Sequence, residues 1–386
     1  MTARTITDIL PDELLERFRG RAAGYDERNE FFHEDLAELK AQGYLGLFTP
    51  VDDGGAGFGL QEVAAAQRRL ATAAPATALA INMHLVWTGV AHVLAERGDD
   101  SLHYVLTEAV AGEVFAFGNS EAGNDQVLFD SFTEAAPQGD GSYAFTGTKI
   151  FTSLSPAWTR LGIFGKDSTG EEPRLIHGFI TRDTPDYRIK DDWNTVGMRA
   201  SQSCTTVLEG AVVPADKVFR TLPVGPNADP LIFAIFACFE TLLAAVYTGI
   251  GERAVELAVA NAKRRTSKKY EGKTYAQDPD IRWKVADAAM AMDGLYPQLE
   301  AIGRDVDALV DHGPLWFPKL VGLKVRATET AREVVDLAIR CSGGGSYFAG
   351  NELGRLYRDV LAGIFHPSDG ESAHGTIANA WLGPIE

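Results

Sequence analysis

The spacing of apolar residues changes twice along this chain. From about residue 11 to 112, apolar residues recur at intervals of three and four, which is typical of amphipathic helices. Between about residues 115 and 223, segments such as YAFTGTKIFTS and RLIHGFITR are short, rich in β-branched and aromatic residues, and bounded by Gly, Pro and Asp, as strands are. Helical patterns return over about 231–265, 280–310 and 317–339. Strands that are grouped together argue against a doubly wound α/β fold.

This order predicts an α+β, mainly α architecture in three parts. Residues 1–114 are predicted to form a helical domain, residues 115–224 an antiparallel sheet or small barrel, and residues 225–386 a helical bundle. A length of 386 residues agrees with two or three domains at roughly 100–200 residues each.

The charge of the chain excludes one class of partner. With 53 acidic against 36 basic residues, the formal net charge is −17, so nucleic-acid binding, which depends on neutralising phosphates, is not expected. Cys204, Cys238 and Cys341 are far apart and form no CxxC pair, so we expect neither a metal site nor a disulfide framework. The N-terminal segment MTARTITDILPDELLERF has acids and no apolar core, unlike a signal peptide, and a cytoplasmic enzyme is predicted.

The segment 231–250 has the length and composition of a membrane span. Glu240 at its centre, and Gly249 and Gly251 at its end, favour a buried core helix, and no membrane span is predicted. Glu240 would project from an apolar helix face, where an unpaired carboxylate is costly. It is therefore a candidate catalytic group, with a structural ion pair as the alternative.

Two glycine runs and one histidine carry further signals. The run 54–59 lacks the lysine of a P-loop and is interpreted as a structural turn. The run 343–345 follows a long helix ending at Arg340, and either approaches a pyrophosphate or forms a helix C-cap. Pro367 predicts that the preceding helix stops at His366, which could act as a general base or be structural.

Together these segments resemble the acyl-CoA dehydrogenase superfamily, and the likeness follows the family's order over nearly the whole chain. Residues 117–125, FGNSEAGND, stand where that family has T-E-P-x-A-G-S-D, and residues 145–153, FTGTKIFTS, where it has N-G-x-K-x-W-I-T. GMRAS and the following VLEGAVVPADKVF are similar to the end of the family's β domain. Arg265, SGGGSYF and the Arg358-Asp359 pair complete the series.

The resemblance implies an N-terminal helical domain, a middle β-barrel domain and a C-terminal four-helix bundle. It also implies FAD between the last two domains and an adjoining subunit, in a homotetramer or dimer. Phe151 replaces the tryptophan that stacks on the flavin, and Ser153 replaces a threonine near its reactive nitrogen. The implied FAD contacts are Phe117, Gly118, Gly123, Asn124, Phe151, Ser153, Arg265, Arg340 and Gly344, the last three around the diphosphate. His84, Asn124 and Asp369 are predicted to contact substrate.

The catalytic base of the resembled family is the main departure. The family most often has a glutamate in a Y-E-G-T segment after the R-D pair, and this chain has F-H-P-S-D there. Some members place the glutamate on the preceding bundle helix, one residue from the position of Glu240. The candidate catalytic residues are therefore Glu240 and His366.

Two enzymatic hypotheses follow from the resemblance. The first, which the register of the motifs favours, is an FAD-dependent dehydrogenase of lipid metabolism. It would oxidise the α,β bond of an acyl thioester, transfer hydride to FAD and pass electrons to an electron-transfer flavoprotein. The alternative is a monooxygenase that obtains reduced flavin from a separate reductase and acts on a hydrophobic or amine substrate, as members carrying a histidine near this position do. A non-catalytic scaffold is a third hypothesis.

Overall fold

The first third of the chain is helical in the computed structural model, which describes residues 4–385. Its helices are α1 (Ile6–Ile9), α2 (Asp12–Arg28), α3 (His33–Ala41), α4 (Leu60–Ala71), α5 (Pro75–Ala95) and α6 (His103–Val110). The glycine run before α4 is a structural turn, as predicted, because a Cβ on Gly55 would lie 2.1 Å from the carbonyl oxygen of Thr49. The carboxylate of Asp307 accepts from the backbone N–H groups of Leu60 and Gln61, at 2.7 and 3.0 Å, and so occupies the α4 N-terminus.

The middle third forms one eight-stranded sheet. Its strands are β1 (Phe115–Gly118), β2 (Glu134–Pro137), β3 (Tyr143–Thr152), β4 (Arg160–Asp167), β5 (Arg174–Thr181), β6 (Tyr187–Ile189), β7 (Cys204–Val213) and β8 (Val218–Pro223). The order is β6-β7-β3-β2-β4-β5-β8 with β1 beside β4, and the pairs are antiparallel except β1–β4 and β2–β4. The sheet curls back on itself, since a Cβ on Gly178 of β5 would lie 2.5 Å from Val213 of β7.

The last third is again helical, and its long helices pack side by side. They are α7 (Pro230–Arg264), α8 (Pro279–Asp293), α9 (Tyr296–Asp307), α10 (Trp316–Ser342), α11 (Glu352–Val360) and α12 (Gly370–Leu382). The single helix predicted over 280–310 is wrong, because α8 ends before Gly294 and Leu295, and Pro297 lies in the first turn of α9. A proline is tolerated only in that first turn, so it favours a new helix start.

The apolar stretch of α7 is a core element, as predicted. Both α5 and α7 are long and apolar enough to cross a membrane, but most of each stretch is buried inside the protein. Cys204, Cys238 and Cys341 are free and buried. Within residues 4–385 no cluster of His, Cys, Asp and Glu could hold a metal ion.

One dipeptide of α11 connects the three parts of the chain. Arg358 pairs with Asp26 of α2 and donates to the carbonyl oxygen of Val196 at 2.9 Å. Its neighbour Asp359 accepts from the backbone N–H of Met198 at 2.6 Å. The predicted architecture of a helical part, a middle sheet and a C-terminal helical bundle is confirmed.

Candidate active site

Two adjacent cavities lie between the sheet, α7 and the segment that follows α11. Cavity A, of about 370 Å³, is bounded by residues 193–198, Ser153, Ser203 and Arg358. Cavity B, of about 350 Å³, is bounded by residues 124–125 and 127–129, Glu240 and Asp369. The two share a wall formed by Phe117, Ser120, Phe151, Phe239, Phe365, His366 and Pro367. Both of the predicted catalytic residues therefore reach these cavities, and His366 lies at their junction.

The imidazole of His366 is held by a buried tyrosine. The Tyr247 hydroxyl lies 2.7 Å from Nε2 of His366, and among residues 4–385 it has no other hydrogen-bond partner. Burial raises the pKa of Tyr247 far above its ordinary value, so the phenol stays protonated. Because Nε2 is its only acceptor within the described residues, we assign the hydroxyl as the donor of this hydrogen bond. Burial, together with the positive charge of Lys324, lowers the pKa of His366. The imidazole is therefore neutral, with its proton on Nδ1.

Tyr247→Phe should lower the free energy of unfolding by about 1–2 kcal/mol, because it leaves Nε2 of His366 without its donor. It should also remove the hydrogen bond that fixes which ring nitrogen of His366 carries the proton. Nitrogen NMR of the imidazole would detect this change. Tyr357→Phe is the matched control, since Tyr357 is 41% exposed on α11. Unchanged imidazole shifts in Tyr247→Phe would contradict the assigned hydrogen bond.

The chain on either side of Pro367 is fixed by a lysine of α10. Lys324 donates to the carbonyl oxygens of His366 and Ser368, at 3.0 and 3.1 Å. Its side chain is buried, and burial lowers its pKa while the nearby carboxylates of Glu240 and Asp369 act in the opposite direction. Lys324 thus sets the position of His366 through the backbone.

Glu240 is 1% exposed and faces cavity B. Burial raises its pKa well above the ordinary range, opposed by the Ser368 hydroxyl and by Lys324. Its Oε2 atom has no hydrogen-bond partner within the described residues, and no ion pair to it is formed there. The structural ion pair considered from the sequence is therefore wrong, and Glu240 presents an unsatisfied carboxyl oxygen.

Four of the predicted cofactor residues, Phe117, Asn124, Phe151 and Ser153, line the cavities. Phe151 has a φ of +56° and is 55% exposed, so its ring stands at the cavity wall beside Trp193. The Ser153 and Ser203 hydroxyls lie 2.7 Å apart, and Ser203 is 2.8 Å from that of Ser201. This chain of hydroxyls presents a polar edge to an otherwise apolar cavity A.

The loop that carries Asn124 is built on a buried ion pair. Lys149 Nζ lies 2.7 Å from Oε1 of Glu121, and both side chains are buried. Glu121 also accepts from the side-chain amide of Asn124 at 2.9 Å, and that amide donates to the carbonyl oxygen of Asp130 at 2.9 Å as well. Asn124 therefore lines cavity B with its N–H groups already committed to the loop.

Gly118 and Gly123, also predicted to contact the cofactor, have backbone roles near the site. Gly118 lies in β1, where a Cβ would come within 3.0 Å of Leu161 on β4. Gly123 has a φ of +79° in the loop that follows β1. Neither glycine lines cavity A or cavity B.

The three residues predicted at a diphosphate lie away from both cavities. Arg265 donates to the carbonyl oxygen of Ser342, at the end of α10 beside the glycine turn that contains Gly344. Arg340 is exposed and pairs with Asp336. Gly343 has a φ of +75° and closes α10, in agreement with the C-cap alternative. Arg265 therefore contacts the glycine turn and lines neither cavity.

The assignment of His84 to substrate contact is corrected. Its Nε2 lies 2.9 Å from the carbonyl oxygen of Leu45, and its Nδ1 accepts from the backbone N–H of Phe115 at 3.2 Å. The side chain is fully buried and lines neither cavity. Asp369 does line cavity B, and it also caps α12 by accepting from the N–H of Ser372 at 2.9 Å.

Sequence reasoning missed Tyr247 and Lys324 as functional residues. Tyr247 follows Glu240 by seven residues on α7, and two helical turns place both on one face, so the spacing could have indicated it. No comparable signal marks Lys324, because its carbonyl partners are 42 and 44 residues away.

The residues present suit a flat heteroaromatic group such as a flavin ring. Aromatic side chains form the shared wall, and the Ser153 and Ser203 hydroxyls supply polar partners at the edge of cavity A. Residues 3–113 match the N-terminal domain of the acyl-CoA dehydrogenase family, and residues 241–368 match its C-terminal domain. The chain belongs to the acyl-CoA dehydrogenase family. The resemblance drawn from the sequence is confirmed, and with it a flavin-dependent oxidoreductase family.

Relatives within this family carry different names. The chain is 28% identical to L-evernosamine nitrososynthase of a Micromonospora species, covering 94% of this chain and 86% of the relative. It is also 28% identical to YdbM of Bacillus subtilis, provisionally named an acyl-CoA dehydrogenase, covering 95% and 94%. The solved structure of KijD3 with FMN and dTDP-3-amino-2,3,6-trideoxy-4-keto-3-methyl-D-glucose superposes with a TM-score of 0.83 at 26% identity, covering 97% and 92%.

Proposed function

We propose that the protein is a monooxygenase that uses reduced flavin delivered by a separate reductase. The observation that carries this proposal is the neutral His366, hydrogen-bonded through Nε2 to Tyr247, in the segment where the resembled family most often has its catalytic glutamate. A nitroso group contains an N–O bond, so the name of the Micromonospora relative supports oxygenation chemistry on this fold.

Dehydrogenation of an acyl thioester requires an unprotonated base with a free lone pair beside the α-carbon. His366 has its basic nitrogen occupied by the Tyr247 hydroxyl, and its remaining ring nitrogen carries the proton. Glu240, the other candidate, has a pKa raised by burial, which favours the protonated acid in the free protein. The arrangement therefore supports a hydrogen-bond donor at the cavity junction better than a base.

A bound reduced flavin would supply the two electrons that, with two protons, convert dioxygen and substrate into oxygenated product and water. The Nδ1–H of His366 would donate a hydrogen bond at the junction of the cavities, and the hydroxyls of Ser153 and Ser203 would contact the polar edge of the ring. A flavin ring stacked against the phenylalanine walls would displace water from them, which would strengthen both interactions. The resemblance implies FAD, whereas the KijD3 structure contains FMN, so the test uses both flavins.

The test mixes the protein with photoreduced FMN or FAD, oxygen and a small hydrophobic or amine substrate. We expect consumption of dioxygen and a product that contains isotope from heavy dioxygen rather than from heavy water. The same mixture without protein controls for free reduced flavin, which consumes oxygen without labelling the substrate. An unlabelled substrate across aromatic, sulfur-containing and amine compounds would contradict the proposal.

The dehydrogenase hypothesis is the second candidate, favoured by the position of Glu240 in the wall of cavity B. It predicts that anaerobic mixing of the flavin-loaded protein with acyl-CoA thioesters bleaches the oxidised flavin. Glu240→Gln should then abolish bleaching. Absence of bleaching across chain lengths and branched acids would exclude this hypothesis.

A further inference from the structure

We infer that cavity B binds the ammonium group of a small, apolar amine that carries no phosphate, with Glu240 as the counter-charge. This inference rests on the proposed monooxygenase and names its substrate class. It differs from the phosphate-bearing sugar in the KijD3 structure and from an acyl-CoA thioester.

All but one of the Asp, Glu, Lys and Arg side chains that line the cavities are acidic. Cavity B is lined by four carboxyl side chains, Glu121, Asp125, Glu240 and Asp369, and by no Lys or Arg of the described residues. Cavity A is lined by one cation, Arg358, whose guanidinium is engaged by Asp26 and by a backbone carbonyl. A phosphate-bearing substrate would find no available counter-charge in either cavity.

The four carboxyl groups differ in their existing partners. Glu121 is paired with Lys149, Asp369 caps α12, and Asp125 is exposed. Glu240 is 1% exposed, and its Oε2 has no donor among residues 4–385. A buried acceptor without a donor is costly, so an N–H group of a ligand would remove that cost.

The nearest lysine does not satisfy this oxygen. Lys324 donates hydrogen bonds to the carbonyl oxygens of His366 and Ser368, and it forms no ion pair with Glu240 within the described residues. An ammonium beside Glu240 would provide the counter-charge that favours the ionised carboxylate.

The rest of cavity B fits the apolar body of such an amine. Its walls include the rings of Phe117, Phe129, Phe236, Phe239 and Phe365. Aromatic faces attract organic cations, and apolar walls bury the hydrocarbon part of the ligand. A volume of about 350 Å³ lies at the small end of the range for ligand pockets and suits a compact molecule.

Calorimetric titration of the protein in oxidised FMN, without reductant, tests this inference with three probes. These are 2-phenylethylamine, its neutral isostere 2-phenylethanol, and butyryl-CoA. We expect the amine to bind at least about tenfold more tightly than the alcohol. Glu240→Gln should abolish that preference while the affinity for the alcohol is retained, which shows that the variant is folded.

Glu252→Gln is the matched control, because Glu252 is a partly buried carboxyl on the same helix and lines neither cavity. It should keep the preference for the amine. Equal affinity for amine and alcohol, or a preference that survives Glu240→Gln, would overturn the inference, as would tighter binding of butyryl-CoA. Binding of the amine as expected, with no isotope transfer in the oxygenation test, would overturn the proposed function and leave the inference standing.

Discussion

Lys149→Met is expected to lower the free energy of unfolding by about 3–5 kcal/mol, because it strands the buried carboxylate of Glu121. Burial alone would raise the pKa of Glu121, but Lys149 and the surrounding donors hold it to about 2, so Glu121 is ionised. Burial lowers the pKa of Lys149 to about 8, which leaves the lysine charged at neutral pH. Urea unfolding of wild type and variant measures the loss.

A double-mutant cycle separates the ion pair from packing. Methionine can keep the contact that Lys149 makes over the ring of Phe164, and adding Glu121→Gln removes the stranded charge. The double variant should therefore be more stable than Lys149→Met alone. Arg188→Met is the surface control, since its pair with Glu209 is about half exposed and should contribute less than about 1 kcal/mol. A Lys149→Met loss no larger than this control would refute the prediction.

His366→Ala should reduce oxygen transfer to substrate by about 10²–10³-fold, the range typical of removing one positioned hydrogen-bond donor. Flavin binding should change little, because the aromatic wall and the Ser153 hydroxyl remain. The readout is labelled product per flavin oxidised, since loss of the donor should divert reduced flavin to unproductive oxygen consumption.

His374→Ala is the matched control for that measurement, because His374 is exposed on α12 and lines neither cavity. It should leave the coupling unchanged. Full coupling in His366→Ala would show that the hydrogen bond from this histidine is not needed for oxygen transfer, and would remove the observation that carries the proposed function.

Hydrophobic periodicity predicted the helix, strand and helix order because each period reports which side of an element is buried. It also drew attention to Glu240, since a carboxylate in an apolar helix is conspicuous in any fold. It failed over 280–310, where the helical pattern continues through Gly294 and Leu295 although the backbone breaks. Periodicity records burial, and the buried residues Met292, Leu295, Leu299 and Ile302 keep helical spacing across the break.

The partners of each side chain could not be read from the sequence in the same way. His84 and His366 are both lone histidines near apolar helices, yet one is fixed between two backbone groups of the core and the other faces a cavity. That difference depends on contacts between residues tens of positions apart. The resemblance placed Phe151 and Ser153 at the site, while the role of Lys324 required the coordinates.

The Arg358-Asp359 dipeptide makes cavity A depend on all three parts of the chain. Cavity A is walled by residues 193–198, and that loop is held by the same two side chains that reach back to Asp26 in the first helical part. A fragment that ends at residue 224 would therefore keep the loop but lose Arg358 and Asp359, and a fragment that begins at residue 115 would lose Asp26. Transferring cavity A to another scaffold would need all three parts of the chain, although each part has its own hydrophobic periodicity.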